Sequence, residues 1–491
     1  MKTIITALIT CFFLSKDARA QLSVKYNANE QSTQNLQYFR PKGNLFVGDC
    51  MPFYRNGTYS LYWLLDSAHH AALGGLGGHQ WALSRTQDLK HWQQFPVVLG
   101  IDEDWEKSIC TGSVVFHKGK YYAFYATRLV DKEGKTNEQL SYAVSSDGVH
   151  FRKQKPNPFY TSAPGYSKRD FRDPKVFVDP KTGEFHLFVS SWQENGTMHR
   201  TGGALVHLSS KELKNWSVLD PVLTGQPSVP ECPDYFFWKG WYYIIYGDSG
   251  DTYYLKSRSP YGPWEEPRYQ ALREAWVNVA KTAEFTGGRR ISAGWIPGRR
   301  DNKDHEGEVF GGNMVFREVI QESDGTLSTR FPEEMIPAAG TEIRADWKAE
   351  RNAQLRGDGS LALDGGTGYA AASLQDVPGR CRITLQLEPG ENIGDYGLML
   401  RSDEHAENGY DLRFSPREAT VQLADDRIYA VDEIRGPTRV DIILNDDIID
   451  VSINNRRCIV NRLPEQKGTK LWLYAKHGRL KAKMVGMNGL K

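Results

Sequence analysis

Three acidic residues open three loosely repeated segments of this 491-residue chain: Asp49 in VGDCMPFYRNGTYSLYW, Asp173 in FRDPKVFVDPKTGEFHLF and Glu231 in PECPDYFFWKGWYYIIY. Each starts an apolar, strand-like run. Each run then meets a turn glycine (Gly57, Gly183, Gly240) and an aromatic second strand. The repeat predicts that the acids sit at equivalent places, so that stacking the segments around an axis brings three carboxyl groups to one spot. Such a cluster is costly, because like charges repel and burial disfavours each charge. Chains that assemble one use it for acid/base or nucleophilic work. A sugar acetal suits the set: one carboxyl protonates the leaving oxygen, and a second attacks the opposite face of the ring. Carboxyls about 5–5.5 Å apart give retention, and wider spacing admits a water and inverts. A third carboxylate can bind ring hydroxyls and stabilise the positive charge that develops. Arg172, adjacent to Asp173, is expected to keep that aspartate ionised. Glu231, between Pro230 and Cys232, has no cation beside it in sequence and suits the acid role.

The elements that position these residues repeat. An apolar strand, a Gly turn, an aromatic strand and a strand of small and apolar residues recur. A polar turn with an aromatic follows in Asp88-Leu89-Lys90-His91-Trp92, Asp147-Gly148-Val149-His150-Phe151 and Leu213-Lys214-Asn215-Trp216. Alternation of period two with such turns argues strands. The repeat length is that of propeller blades, each a small sheet covered by its neighbours. The fold class read here is all-β: a five-bladed β-propeller over 21–337, then a C-terminal β-sandwich over 338–491. The sandwich is read from short strands such as GYAAASLQ, CRITLQLEPG, YGLMLRSD and YDLRFS, after a Gly/Pro-bearing boundary at Pro337–Gly340. It is expected to be an accessory module, with carbohydrate binding as the sharper alternative.

Composition excludes several classes. Formal net charge is +1, with no basic stripe or acidic tail, so no nucleic-acid partner is expected. Residues 1–20, MKTIITALITCFFLSKDARA, read as a signal peptide: Lys2, an apolar stretch, then Ala18-Arg19-Ala20. The stretch is too short to span a bilayer. The mature chain is expected to begin near Gln21 and to be secreted or periplasmic. Cys50, Cys110, Cys232, Cys381 and Cys458 match no zinc spacing. Cys50 and Cys232 read as small apolar residues beneath the site, and Cys381 could pair with Cys458. No metal and no cofactor are expected. His69, His70 and His79 flank the glycine-rich GGLGG, which lacks the strand-to-helix context of a phosphate loop and reads as a rim loop. Asp66, Asp248, Asp251, Glu306 and Glu308 read as surface or loop acids. Trp105 and Trp295 are candidate sugar platforms at blade edges.

RDP at Arg172-Asp173-Pro174, followed one repeat later by EC at Glu231-Cys232, resembles the signature pair of glycoside hydrolase family 32, the invertases, inulinases and levanases. Thr111-Gly112-Ser113 resembles the family's Ser-Gly-Ser element, and SRTQDLKHW its Ser-x-Asp-Leu-x-x-Trp run. The resemblance covers about residues 38–335. It implies a propeller plus sandwich and retaining hydrolysis of β-fructofuranosidic bonds in sucrose or fructans. It also implies Asp49 as nucleophile, Glu231 as acid/base, and Asp173 with Arg172 as stabilisers through sugar hydroxyls. Cys110 and Thr111 are then in the substrate pocket. This chain departs from the family at Leu45–Pro52, where the asparagines flanking the aspartate are absent, and near Trp63-Leu64, where a glutamine is expected. Another furanoside, such as arabinofuranose, and a non-catalytic carbohydrate-binding role are the alternatives.

Overall fold

The computed structural model describes residues 26, 35–195, 198, 201–274 and 276–491. The expected signal peptide lies outside the described residues. The described residues are all-β apart from single helical turns. β1 (Leu45–Arg55), β2 (Thr58–Ser67), β3 (Gln80–Thr86) and β4 (Trp92–Leu99) form one antiparallel meander. β5 (Ser108–His117), β6 (Lys120–Val130), β7 (Thr136–Ser145) and β8 (Arg152–Lys153) form the next. β9 (Tyr166–Val178), β10 (Phe185–Gln193), β11 (Gly203–Ser210) and β12 (Ser217–Gln226) follow. β13 (Glu231–Trp238), β14 (Trp241–Asp248) and β15 (Asp251–Ser257) make a three-stranded sheet. β16 (Asn278–Phe285), β17 (Arg289–Arg299), β18 (Glu308–Gln321) and β19 (Leu327–Arg330) continue into the first meander through one pairing, Val47 with Gly312.

Local chemistry explains the meanders. The turns after β1, β5 and β13 place both central residues at positive φ: Asn56-Gly57, Lys118-Gly119 and Lys239-Gly240. That is the hairpin turn whose twist matches the strands. The polar turns after the third strands also repeat. Asp88 Oδ1 accepts from the backbone N–H of Lys90 (2.9 Å) and His91 (2.8 Å). Asp147 Oδ1 accepts likewise from Val149 (2.8 Å) and His150 (2.9 Å). Self-capped turns of this kind need no help from the rest of the fold.

The first strands touch in a closed ring: β1 with β5, β5 with β9, β9 with β13, β13 with β16, and β16 with β1. Each carries a β-bulge at the same register. The bulges fall at Gly48-Asp49, Cys110-Thr111, Asp173-Pro174, Cys232-Pro233 and Val279-Ala280. Asp173 (φ 55°), Cys232 (φ 49°) and Val279 (φ 39°) adopt left-handed backbone there. Such conformations cost about 1–3 kcal/mol each and persist only where surrounding structure imposes them.

The bulges correct one expectation. Aligned on them, Glu231 matches Arg172, Asp173 matches Cys232, and Asp49 matches Thr111. The three acids occupy three successive positions of the repeat rather than one. A sequence alignment on strand starts cannot see a one-residue insertion whose only signature is hydrogen-bond register.

The C-terminal part packs two antiparallel sheets, one eight-stranded and one seven-stranded, around a core that includes Ile383, Leu398, Leu412, Ile442, Val451 and Leu473. The boundary stretch is itself a strand, Ala339–Glu342, paired with the last strand Arg479–Leu490. The sandwich is pinned to the ring sheets by buried charge. Arg317 on β18, 2% exposed, gives two hydrogen bonds to Asp450 (2.8 and 2.9 Å) and one to Glu274 (2.8 Å). Cys381 and Cys458 do not pair: both are free thiols, and Cys458 packs in the contact between the two parts while Cys381 belongs to the sandwich core. Among the described residues no helix is long and apolar enough to cross a membrane.

Candidate active site

A strand normally alternates its side chains between two faces. A bulge breaks that alternation and re-aims the side chains around it. The ring strands load one cavity of about 470 Å³ with consecutive pairs at their bulges or one residue before: Cys110 and Thr111, Arg172 and Asp173, Glu231 and Cys232, Asn278 and Val279, together with Asp49. Carboxyls separated widely in sequence therefore meet.

Asp49 is buried and held by three donors. Trp295 Nε1 donates to Oδ1 (3.0 Å), and the Thr111 hydroxyl donates to Oδ2. Cys232 Sγ lies 3.4 Å from the same Oδ2. Burial raises the Asp49 pKa, with the nearby Asp173 charge adding to it, while the Thr111, Trp295 and Cys232 donors pull it back. Asp173 Oδ2 accepts from the Cys232 backbone N–H (2.9 Å) and lies 3.6 Å from Cys232 Sγ. Cys232 thus bridges the two aspartates. Burial and both carboxylates hold its thiol well above the ordinary range, so it stays a neutral donor.

Glu231 stands in the cavity itself, with 41% of its side chain open to that space. Arg172 Nη2 donates to its Oε1 (2.9 Å). Its pKa is raised, first by burial and then by Asp173 and Asp49, against the pull of Arg172. Arg172 serves two carboxylates: its Nε lies 3.8 Å from Asp173 Oδ2, the expected neighbour, and its Nη2 bonds Glu231 as well. The cation absent from Glu231's sequence neighbourhood arrives from another strand.

Cys110 lines the cavity, its pKa pushed up to about 12 by burial. Trp295 is buried against Phe310 (centroids 4.9 Å) and presents its N–H to Asp49. Trp105 is not among the cavity residues; its Nε1 donates to Glu103 Oε2 (2.8 Å) in the loop before β5. The loop chemistry spends that indole locally.

His70 and His79, read from the sequence as flanking a rim loop, line the cavity, and so do Arg128, Glu138, Asp170 and Phe310, which the sequence reading did not single out. Asp66, expected on the surface, is fully buried and takes His79 Nε2 at 3.0 Å and the His70 backbone N–H at 2.9 Å. Glu138 carried a signal: on β7 it shares the inward face of Leu140, so alternation alone places an acid inside.

The sequence profile of the glycosyl hydrolases family 32 N-terminal domain matches residues 39–305. The chain is 25% identical over 303 residues to sucrose-6-phosphate hydrolase of Escherichia coli, covering 56% of this chain and 61% of that protein. It is 22% identical over 547 residues to levanase of Bacillus subtilis (strain 168), covering 98% and 71%. Its fold is similar to exo-inulinase from Aspergillus awamori, with a TM-score of 0.68, 16% identity and coverage of 94% and 99%. It is also similar to the beta-fructofuranosidase of Bombyx mori, with a TM-score of 0.66, 16% identity and coverage of 97% and 99%. The match spans more than half of the residues and includes Asp49, Asp173 and Glu231, and the chain belongs to glycoside hydrolase family 32.

Proposed function

We propose that this chain hydrolyses β-fructofuranosidic bonds of the sucrose and fructan class by double displacement with retention. One observation carries the reading: Asp49, Asp173 and Glu231 share a single cavity, linked through Cys232 and Arg172. Asp49 is the nucleophile. Its three donors favour the ionised form and fix the oxygens for attack on the anomeric carbon. As the glycosidic bond breaks, Glu231 passes its proton to the leaving oxygen. In the second half-reaction Glu231 takes a proton from water, the water attacks the same carbon, and Asp49 is released. Raised proton affinity fits that acid role. Asp173, with Arg172, binds ring hydroxyls and stabilises the developing positive charge. Neither step calls for a metal or a cofactor.

The architecture that supports this is a five-bladed propeller over 21–337 with the sandwich over 338–491; the closed ring of β1, β5, β9, β13 and β16 supports the blade count. Secretion rests on the leader-like residues 1–20. The wall is apolar at Leu64, beside the place of the family's expected glutamine, and Phe310 and Val279 extend that apolar wall, which favours keeping a second furanoside in view. A panel of sucrose, inulin, levan and arabinan decides. Fructose release from any of the first three is the expected result. Arabinose release alone would replace fructose as the sugar. Binding without turnover would make this a carbohydrate-binding protein.

A further inference from the structure

Four carboxylates contest one guanidinium. Arg172 Nη1 donates to Asp170 Oδ1 (2.5 Å) and lies 3.6 Å from Glu138 Oε2. Its Nη2 donates to Glu231 Oε1 (2.9 Å), and its Nε lies 3.8 Å from Asp173. Glu138 is itself shared. Its Oε1 accepts from Arg128 Nη2 (2.7 Å) and Nε (3.1 Å). Arg128 Nη1 donates to His70 Nε2 (2.8 Å), and His70 Nδ1 lies 3.2 Å from His79 Nε2, which meets the buried Asp66. An arginine can only donate, so His70 Nε2 must accept and the ring must be neutral. Burial, His79 and Arg128 lower the His70 pKa to about 4, which keeps it so. The chain of contacts is continuous from Asp66 to Glu231 and crosses β7, β6 and the loop after β2.

We propose that Glu138 and Asp170 are positioning residues: by holding Arg172 Nη1 they leave only Nη2 for Glu231, limit the pull of the cation on that carboxyl, and keep Glu231 able to carry a proton. The proposal rests on Glu231 being the acid/base. The charged groups around Glu231 and Arg172 come from several elements: Asp49 on β1, Arg128 on β6, Glu138 on β7, and Arg169, Asp170 and Asp173 on β9. β5 and β16 contribute only Cys110, Thr111, Asn278 and Val279 to the cavity. Burial opposes the Arg172 charge, but Glu138, Asp173, Glu231 and Asp170 outweigh it and hold its pKa well above the ordinary guanidinium value. Arg172 is therefore a constant cation, and only its distribution among the acids can vary.

The test is the pH dependence of kcat/KM on whichever fructoside the panel shows to be cut. Glu138→Gln removes a competitor and leaves Arg172 to Glu231. Its alkaline limb should move to lower pH by about 0.5–1 unit. Asp170→Asn should move it the same way, and, because 32% of the Asp170 side chain is exposed, this variant should keep the fold, as thermal melting will show. Arg128→Gln should do the opposite, because the freed Glu138 draws Arg172 away from Glu231. A merely structural role does not give shifts of opposite sign. Unmoved limbs, or Glu138→Gln and Arg128→Gln moving together, would overturn the positioning role. Full turnover by Glu231→Gln would instead remove the acid/base reading beneath it.

Discussion

Arg172 bonds Glu231, 59 residues further along the chain, at 2.9 Å, while its neighbour in sequence, Asp173, lies 3.8 Å from it. The shorter of these two ion pairs is the one between strands. Arg172 therefore lowers the proton affinity that burial, Asp173 and Asp49 raise at Glu231, and the net direction is upward. Activity should fall on the alkaline side as Glu231 gives up its proton, with the midpoint above the ordinary glutamate range. Arg172→Met removes the opposing cation, so that limb should move further up by about 1 unit or more, read from kcat/KM against pH.

The acid limb belongs to Asp49, which must be ionised to attack. Thr111→Val removes a hydroxyl donor while keeping its shape. A hydrogen bond to a charged group is worth about 1.5–3 kcal/mol, which converts to roughly 1–2 pH units. The acid limb of kcat/KM should rise by that amount, with the alkaline limb unmoved.

Asp49→Asn should reduce turnover by about 10⁴-fold or more, since an amide cannot form the covalent intermediate. Glu231→Gln should cost about 10²–10⁴-fold, the range for a general acid. Stability should go the other way. The folded Asp49 pKa is raised above its unfolded value, so the fold disfavours this charge at any pH above the ordinary aspartate range. Asp49→Asn should therefore raise the melting temperature at pH 7, and the gain should shrink as pH falls toward that range.

Arg317 joins Glu274 and Asp450 where all three are nearly excluded from solvent, at 2%, 2% and 0% side-chain exposure. Arg317→Met strands two buried carboxylates. Breaking such a pair from one side costs about 3–5 kcal/mol. Calorimetry should show a large drop in melting temperature. Asp450→Asn should be milder, because Arg317 keeps Glu274.

Much of this was legible in the chain. Period-two alternation and self-sufficient turns such as Asn56-Gly57 and Asp88-His91 marked the strands, since both are local chemistry. The strand read over YDLRFS coincides with Tyr410–Ser415. Asp49, Asp173 and Glu231 stood out as acids at the heads of apolar runs. Sequence by itself therefore determined the all-β class, the repeat and the principal acids. Tertiary structure decided which of them touch. It set consecutive side chains at and beside the bulges into the cavity, staggered the acids over three positions, brought Arg172 to Glu231, buried Asp66, and left Trp105 to Glu103. The physical reason is range: alternation and turns act over a few residues, whereas Coulomb partners, burial and register are set by strands that meet only after the ring has closed.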